Sequence, residues 1–115
     1  MKLADGALDD QLVALPILRE LLDGTAYRII LSTIDIAKTV SQICHDGNTS
    51  NNLPQSSTYK KIKKLLKVGL ISIEKIHINH RGKRVLFYRS SIKSLEFYLH
   101  QNGLSLQFNK NDFRG

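Results

Sequence analysis

Eleven lysines and arginines fall between Gln55 and Lys93: Lys60, Lys61, Lys63, Lys64, Lys67, Lys75, Arg81, Lys83, Arg84, Arg89 and Lys93. One acid, Glu74, stands against them, so the stretch carries +10; the whole chain carries +7, and the remainder therefore sums to −3. Cations at this density bind polyanions, because each one placed on a phosphate releases condensed counterions. Other reactive side chains are sparse. Cys44 is the only cysteine, which rules out an intrachain disulfide. It reads first as a small buried apolar residue, with a redox switch or an interchain thiol bridge as the functional alternatives. His45 beside it does not complete a metal site, and no metal is expected. Glu74 and Glu96 stand isolated, and His45, His77, His80 and His100 are scattered. A catalytic centre needs convergent acids, bases or ligands, and a phosphate loop needs several glycines where Gly82 stands alone. No catalytic residues, no cofactor and no enzymatic activity are expected.

The elements that must carry these cations follow from periodicity. Leu12, Leu15, Leu18, Leu21 and Leu22 recur at three- and four-residue spacing, which predicts a first helix with Asp9 or Asp10 as its cap and Pro16 beginning or bending it. Thr25 is a candidate cap for a second helix over about 25–33, with Tyr27, Ile30, Leu31 and Ile34 as its apolar face. A short extended link near 36–38 leads to Thr39-Val40-Ser41-Gln42, a capping box that opens a third helix with Val40, Ile43 and Cys44 inward. The DGNTSNN run at 46–52 is a polar loop. A fourth helix over 55–67 sets Thr58, Ile62, Leu65 and Leu66 on one stripe, and Gly69 ends it. At 100° per residue, Ser56, Lys60, Lys63 and Lys67 lie opposite that stripe and Tyr59 at its edge. Lys61, nearer the protein side, is expected to be exposed and without contacts.

From Leu70 the apolar period becomes two. Ile71, Ile73, Ile76 and Ile78, then Val85, Phe87 and Tyr88, predict a hairpin over 70–90 whose turn, 79–83, places His80, Arg81, Lys83 and Arg84 at the tip. A last hairpin is predicted around Asn102-Gly103, with Leu95, Phe97, Leu99, Leu104, Leu106 and Phe108 sharing one face. That face covers either the wing or first helix of the same chain, or a second chain.

At 115 residues and 42% hydrophobic the chain fits one α+β domain. No stretch is long and apolar enough to span a bilayer, and residues 1–10, with Asp5, Asp9 and Asp10, lack the basic start of a secretory signal. A cytoplasmic location and no membrane partner are expected.

Three helices, a turn, a basic helix and a basic-tipped hairpin are the element order of a winged helix-turn-helix, in which the helix after the turn enters the major groove and the wing follows the backbone or minor groove. The core would span 11–92, the C-terminal hairpin 93–109 and a flexible tail 110–115. Residues 18–29, LRELLDGTAYRI, and 53–62, LPQSSTYKKI, followed by Leu65 and Gly69-Leu70-Ile71, resemble the winged-helix transcriptional regulators of the ArsR-like group, particularly its small archaeal members. The resemblance covers roughly 18–89. It implies transcription regulation through double-stranded DNA, with 53–62 as the recognition helix and its approach. Two departures stand out. The loop at 46–52 is longer than the usual tight turn, and the paired cysteines of the metal-sensing members are missing.

On this basis Gln55, Ser56 and Ser57 open the helix end that points into the groove, where a glutamine amide and short hydroxyls can bond bases or phosphates. Tyr59, Lys60 and Lys63 come next, with partial burial as the structural alternative for Tyr59. Lys64, Lys67, Arg81, Lys83 and Arg84 are phosphate contacts, Arg81 also a minor-groove probe. A homodimer held by the N-terminal helix, the last hairpin or both is expected. The rival readings are a winged-helix protein-interaction module and an RNA-binding module of the same fold.

Overall fold

The computed structural model describes residues 6–8, 11–45 and 52–111. The expected caps Asp9 and Asp10, and the loop from 46 to 51, lie outside the described residues. In chain order the elements are β1 (Gly6–Leu8), α1 (Gln11–Leu21), α2 (Gly24–Ser32), α3 (Val40–Cys44), α4 (Gln55–Val68), β2 (Ile71–Ile78), β3 (Arg84–Ser90), β4 (Ile92–His100) and β5 (Gly103–Lys110). Four helices followed by two antiparallel hairpins make a mixed α+β fold, a layout compatible with a winged helix. Among the described residues no helix is long and apolar enough to cross a membrane.

The local signals that open and close the helices largely act as read, with one displacement. Asp23 caps α2, its Oδ1 accepting from the Thr25 N–H at 3.0 Å; Thr25 thus donates backbone to the cap and is not the cap itself. At α3 the capping box is complete. The Thr39 Oγ1 accepts from the Gln42 N–H at 3.2 Å, and the Gln42 Oε1 accepts from the Thr39 N–H at 2.9 Å. At the end of α4, Gly69 takes φ 84°, a left-handed turn that a side chain would strain. Its N–H bonds to the Leu66 carbonyl and that of Leu70 to the Leu65 carbonyl, the paired 5→2 and 6→1 bonds that satisfy a helix's last carbonyls.

The inward faces of α1 and α2 agree with the expectation in part: Ile30 is buried, and Leu18, Leu21 and Ile34 pack against the core. Ala14, Ile17, Ala26, Ile29 and Ile30 form the buried side, whereas Leu15, Leu22, Tyr27 and Leu31 are exposed. Close packing decided this, since a helix approaches its neighbours through small side chains such as Ala14 and Ala26, and the bulkier leucines are turned to the flank. Pro16 lies inside α1 on its exposed side.

Two antiparallel sheets complete the fold. In the first, β2 pairs with β3 from Ile71↔Ser90 to Ile78↔Arg84, with a bulge between Ile73 and Lys75. Lys38, in the link before α3, bonds both ways with Tyr88 at 2.9 and 2.8 Å and extends this sheet by a bridge. In the second, the order is β1-β5-β4. Leu95↔Phe108, Phe97↔Leu106 and Leu99↔Leu104 face each other as the alternation requires, and Leu104, Leu106 and Phe108 join the same core cluster as Ala14 and Ile17 of α1. The face therefore covers the first helix of its own chain along β5, while β4 overhangs. The turn is shifted one residue from the expected Asn102-Gly103: His100 pairs with Gly103, leaving Gln101-Asn102 as the loop, and Gly103 takes φ 115° after it.

Lys110 and Asn111 belong to the fold and not to the expected tail, whose remaining residues lie outside the described residues. Lys110 closes β5, and Asn111 is buried, its amide donating to the Ile34 carbonyl at 2.7 Å and the Ser90 carbonyl at 3.0 Å. A carboxamide offers two donors at a fixed angle, which is what two converging carbonyls at the junction of α2, β3 and β5 require.

Candidate nucleic-acid interface

Helix α4 divides its side chains cleanly. Thr58, Ile62 and Leu65 are buried on one side, and Ser56, Lys60, Lys63 and Lys67 are exposed on the other. Over 14 residues the helix runs about 21 Å, so the lysines make a stripe of about 16 Å from Ser56 to Lys67. Among the described residues, none of Lys60, Lys63 and Lys67 has a carboxylate within ion-pair distance. The Lys63 ammonium sits 4.9 Å from the centre of the Tyr59 ring, an arrangement that holds the cation against an aromatic face without neutralising it.

At the start of α4, Gln55, Ser56 and Tyr59 line a shallow open depression with Val40 of α3. Gln55 and Ser56 present polar atoms to solvent there. Ser57 is also exposed, but its Oγ donates to the Pro54 carbonyl at 3.3 Å. Tyr59 is exposed rather than packed inside; the buried ring is that of Tyr88, whose phenol is pushed above its ordinary pKa by burial and, secondarily, by Tyr59.

The inner edge of α4 holds the main surprise. Lys61 is not a contact-free surface residue. Its ammonium lies 2.9 Å from a Glu20 carboxylate oxygen and also bridges the Asp23 carboxylate. The hydrogen bond from Lys61 holds Asp23 below the usual carboxylate range, and the same bond raises Lys61 above the usual lysine range. Lys64, far more exposed, reaches the other Glu20 oxygen at 3.4 Å. Sequence offered a weak signal for this cluster: an acid inside a leucine-rich helix, turned toward the core, needs a cation.

The wing tip is built on Asn79. Its Oδ1 accepts from the Arg81 N–H at 2.9 Å and the Lys83 N–H at 3.0 Å, while its backbone N–H bonds to the Lys83 carbonyl. Gly82 supplies the positive φ of 77° that the turn needs. His80, Arg81, Lys83 and Arg84 are exposed around it. Eight residues of β2 place this tip about 26 Å from the end of α4, so the lysine stripe and the tip are two separate basic surfaces. Between them Lys75 lies 4.6 Å from the centre of the Phe87 ring. The opposite side of the wing is apolar. Ile73, Ile76 and Ile78 pair with Tyr88, Leu86 and Arg84 on one face, and all three isoleucines are exposed.

Glu74, isolated in sequence, accepts from Arg89 at 2.8 Å, and Arg89 also donates to the Ile34 carbonyl. Arg89 thus serves the wing's base. Among the described residues no group of three or more histidines, cysteines and acids is placed to hold a metal; Cys44 is buried beside Ile43. No family model, curated protein or solved structure matches the chain.

Proposed function

We propose that this chain is a winged helix-turn-helix protein that binds double-stranded DNA with sequence preference, as a homodimer and as a regulator of transcription similar to the ArsR-like group. The observation that carries the reading is the exposed stripe of Ser56, Lys60, Lys63 and Lys67 on the one helix that follows the α3 turn, with every buried residue of that helix on the other side. An α-helix fits the major groove, about 12 Å wide. Gln55 and Ser56 at its leading end are the base readers, and Lys60, Lys63, Lys67, Arg81, Lys83 and Arg84 are the phosphate contacts. Lys61 is excluded from the interface by its ion pairs with Glu20 and Asp23. Glu74 is engaged by Arg89 and Glu96 by the Tyr98 hydroxyl.

Counted per bound chain, six phosphate contacts give a slope of about −5 for log affinity against log salt, doubled when both chains of the homodimer engage the duplex. Fluorescence anisotropy on mixed-sequence duplex across a salt series measures it. Lys60→Ala/Lys63→Ala should flatten the slope by about 2 and Arg81→Ala by about 1. Absence of binding at low salt overturns the reading.

One observation favours the protein-interaction alternative, the exposed Ile73, Ile76 and Ile78 on a single face of the wing. Under that reading Ile76→Lys abolishes partner capture, and the salt slope on DNA is absent.

A further inference from the structure

Strand β4 runs nine residues along the rim of its sheet, and no strand among the described residues pairs with its outer side. An antiparallel ladder turns the N–H and C=O of alternate residues to opposite sides, so about half of the backbone groups of β4 face outward unpaired. Such an edge templates another strand unless it is short, charged, broken by proline or covered. β4 is long, has no proline, and carries one lysine and one glutamate. The bulge at Lys93 interrupts regular pairing at one end, which leaves 94–100 as the regular window. The middle residue of that window is Phe97.

Apolar side chains stand uncovered beside this edge. A groove of about 530 Å³ runs between α1, α2 and β4, walled by Leu18, Leu22, Leu31, Ile34, Leu95 and Phe97. Leu22 is 76% exposed, and Leu99, next after Phe97 on the same face, is 85% exposed.

We propose that two copies of this chain pair antiparallel through 94–100 of β4, with the twofold axis at Phe97, and so join two three-stranded sheets into one of six strands. The proposal rests on the homodimer reading and needs nothing from DNA. In this register Phe97 meets its own copy, Leu95 meets Leu99, Glu96 meets Tyr98 and Ser94 meets His100; no like charges oppose. Moving the axis to Glu96 sets that carboxylate against itself, which is destabilising. Moving it to Tyr98 removes Leu95 from the pairing, and an axis between residues sets an apolar face against a polar one. Leu99 of one copy comes to lie beside Leu95 at the groove of the other. The interface is twofold and self-complementary, so association through it closes at two.

The test uses the full chain without DNA. Sedimentation equilibrium at tens of micromolar should give twice the chain mass of 13.0 kDa. Leu99→Lys, at a site too exposed to disturb folding, should give the single-chain mass with unchanged circular dichroism. In a Cys44→Ala background, oxidised Phe97→Cys should cross-link, because facing Cα atoms in such a pair lie about 4.5–5.5 Å apart, within disulfide reach. Glu96→Cys and Tyr98→Cys, displaced from their own copies, should not. A monomeric wild type overturns this interface and the homodimer together. A dimer that survives Leu99→Lys and cross-links no better at 97 than at 96 or 98 overturns the interface and leaves the homodimer standing, and neither result bears on DNA binding.

Discussion

The two hairpins are of nearly equal length and use the same ladder, yet the molecule treats them as opposites. The wing, β2–β3, holds five cations and one acid, and its strand β2 is exposed on both faces from Lys75 to Ile78. The C-terminal hairpin, β4–β5, holds two cations and one acid and buries Leu104, Leu106 and Phe108 against α1. The difference comes from alternation. Leu and Phe at every second position over both strands give a hairpin something to bury, whereas the bulge at Glu74 breaks the wing's alternation and frees its tip. One hairpin buries its apolar face against α1 along β5, and the other keeps its tip exposed.

The sharpest way to break that contrast is to truncate each hairpin in turn. Leu106→Ala, at a fully buried site, should cost about 2–5 kcal/mol, read by calorimetry as a fall in Tm of about 10 °C or more. Arg81→Ala at the wing tip should shift stability by less than about 0.5 kcal/mol, and an equal loss from both would erase the distinction. Next in size is Asn111→Ala. It removes the amide that donates to the Ser90 carbonyl and to the Ile34 carbonyl, the latter keeping its bond from Arg89, for about 1–3 kcal/mol, and hydrogen exchange should rise in β5 while the wing is unchanged. Smallest is the pH response of the ion cluster under α4, which belongs to neither hairpin. Asp23 is depressed, so its contribution is present above the ordinary carboxylate pKa and lost as pH falls through the lowered value. Lys61 is raised, so its contribution is present below the ordinary lysine pKa and lost as pH rises through the raised one. Solvent screens the cluster, and each limb should be under about 1 kcal/mol. Urea titrations should find both limbs unchanged in Arg81→Ala; in Lys61→Met the alkaline limb should be absent and the acid limb reduced, since the Thr25 N–H still bonds Asp23.

Features set by neighbours in sequence were legible: the Thr39/Gln42 box, the Gly69 stop, the lysine side of α4, the turn at 79–83 and the six-residue apolar face. Features set by distant packing were not. Lys61 meets Glu20 across 41 positions, and no local pattern announces such a partner. The leucines of α1 looked like its core side because leucine is the stronger hydrophobe, but alanine allows closer approach, so Ala14 and Ala26 took the interior. β1 is three residues long, below any periodic signal, and exists through its pairing with β5.

That pairing has a consequence for how the chain is made. Gly6 is aligned with Phe108, so two segments about a hundred positions apart are bonded to each other. Closing so long a loop is entropically costly and slow compared with forming the helices or the wing, whose contacts are local. During synthesis the helices and wing can assemble while β1 still has no partner. β5 then arrives as the central strand of its sheet, pairing with β1 on one side and β4 on the other, and Asn111 fastens the result to the end of α2.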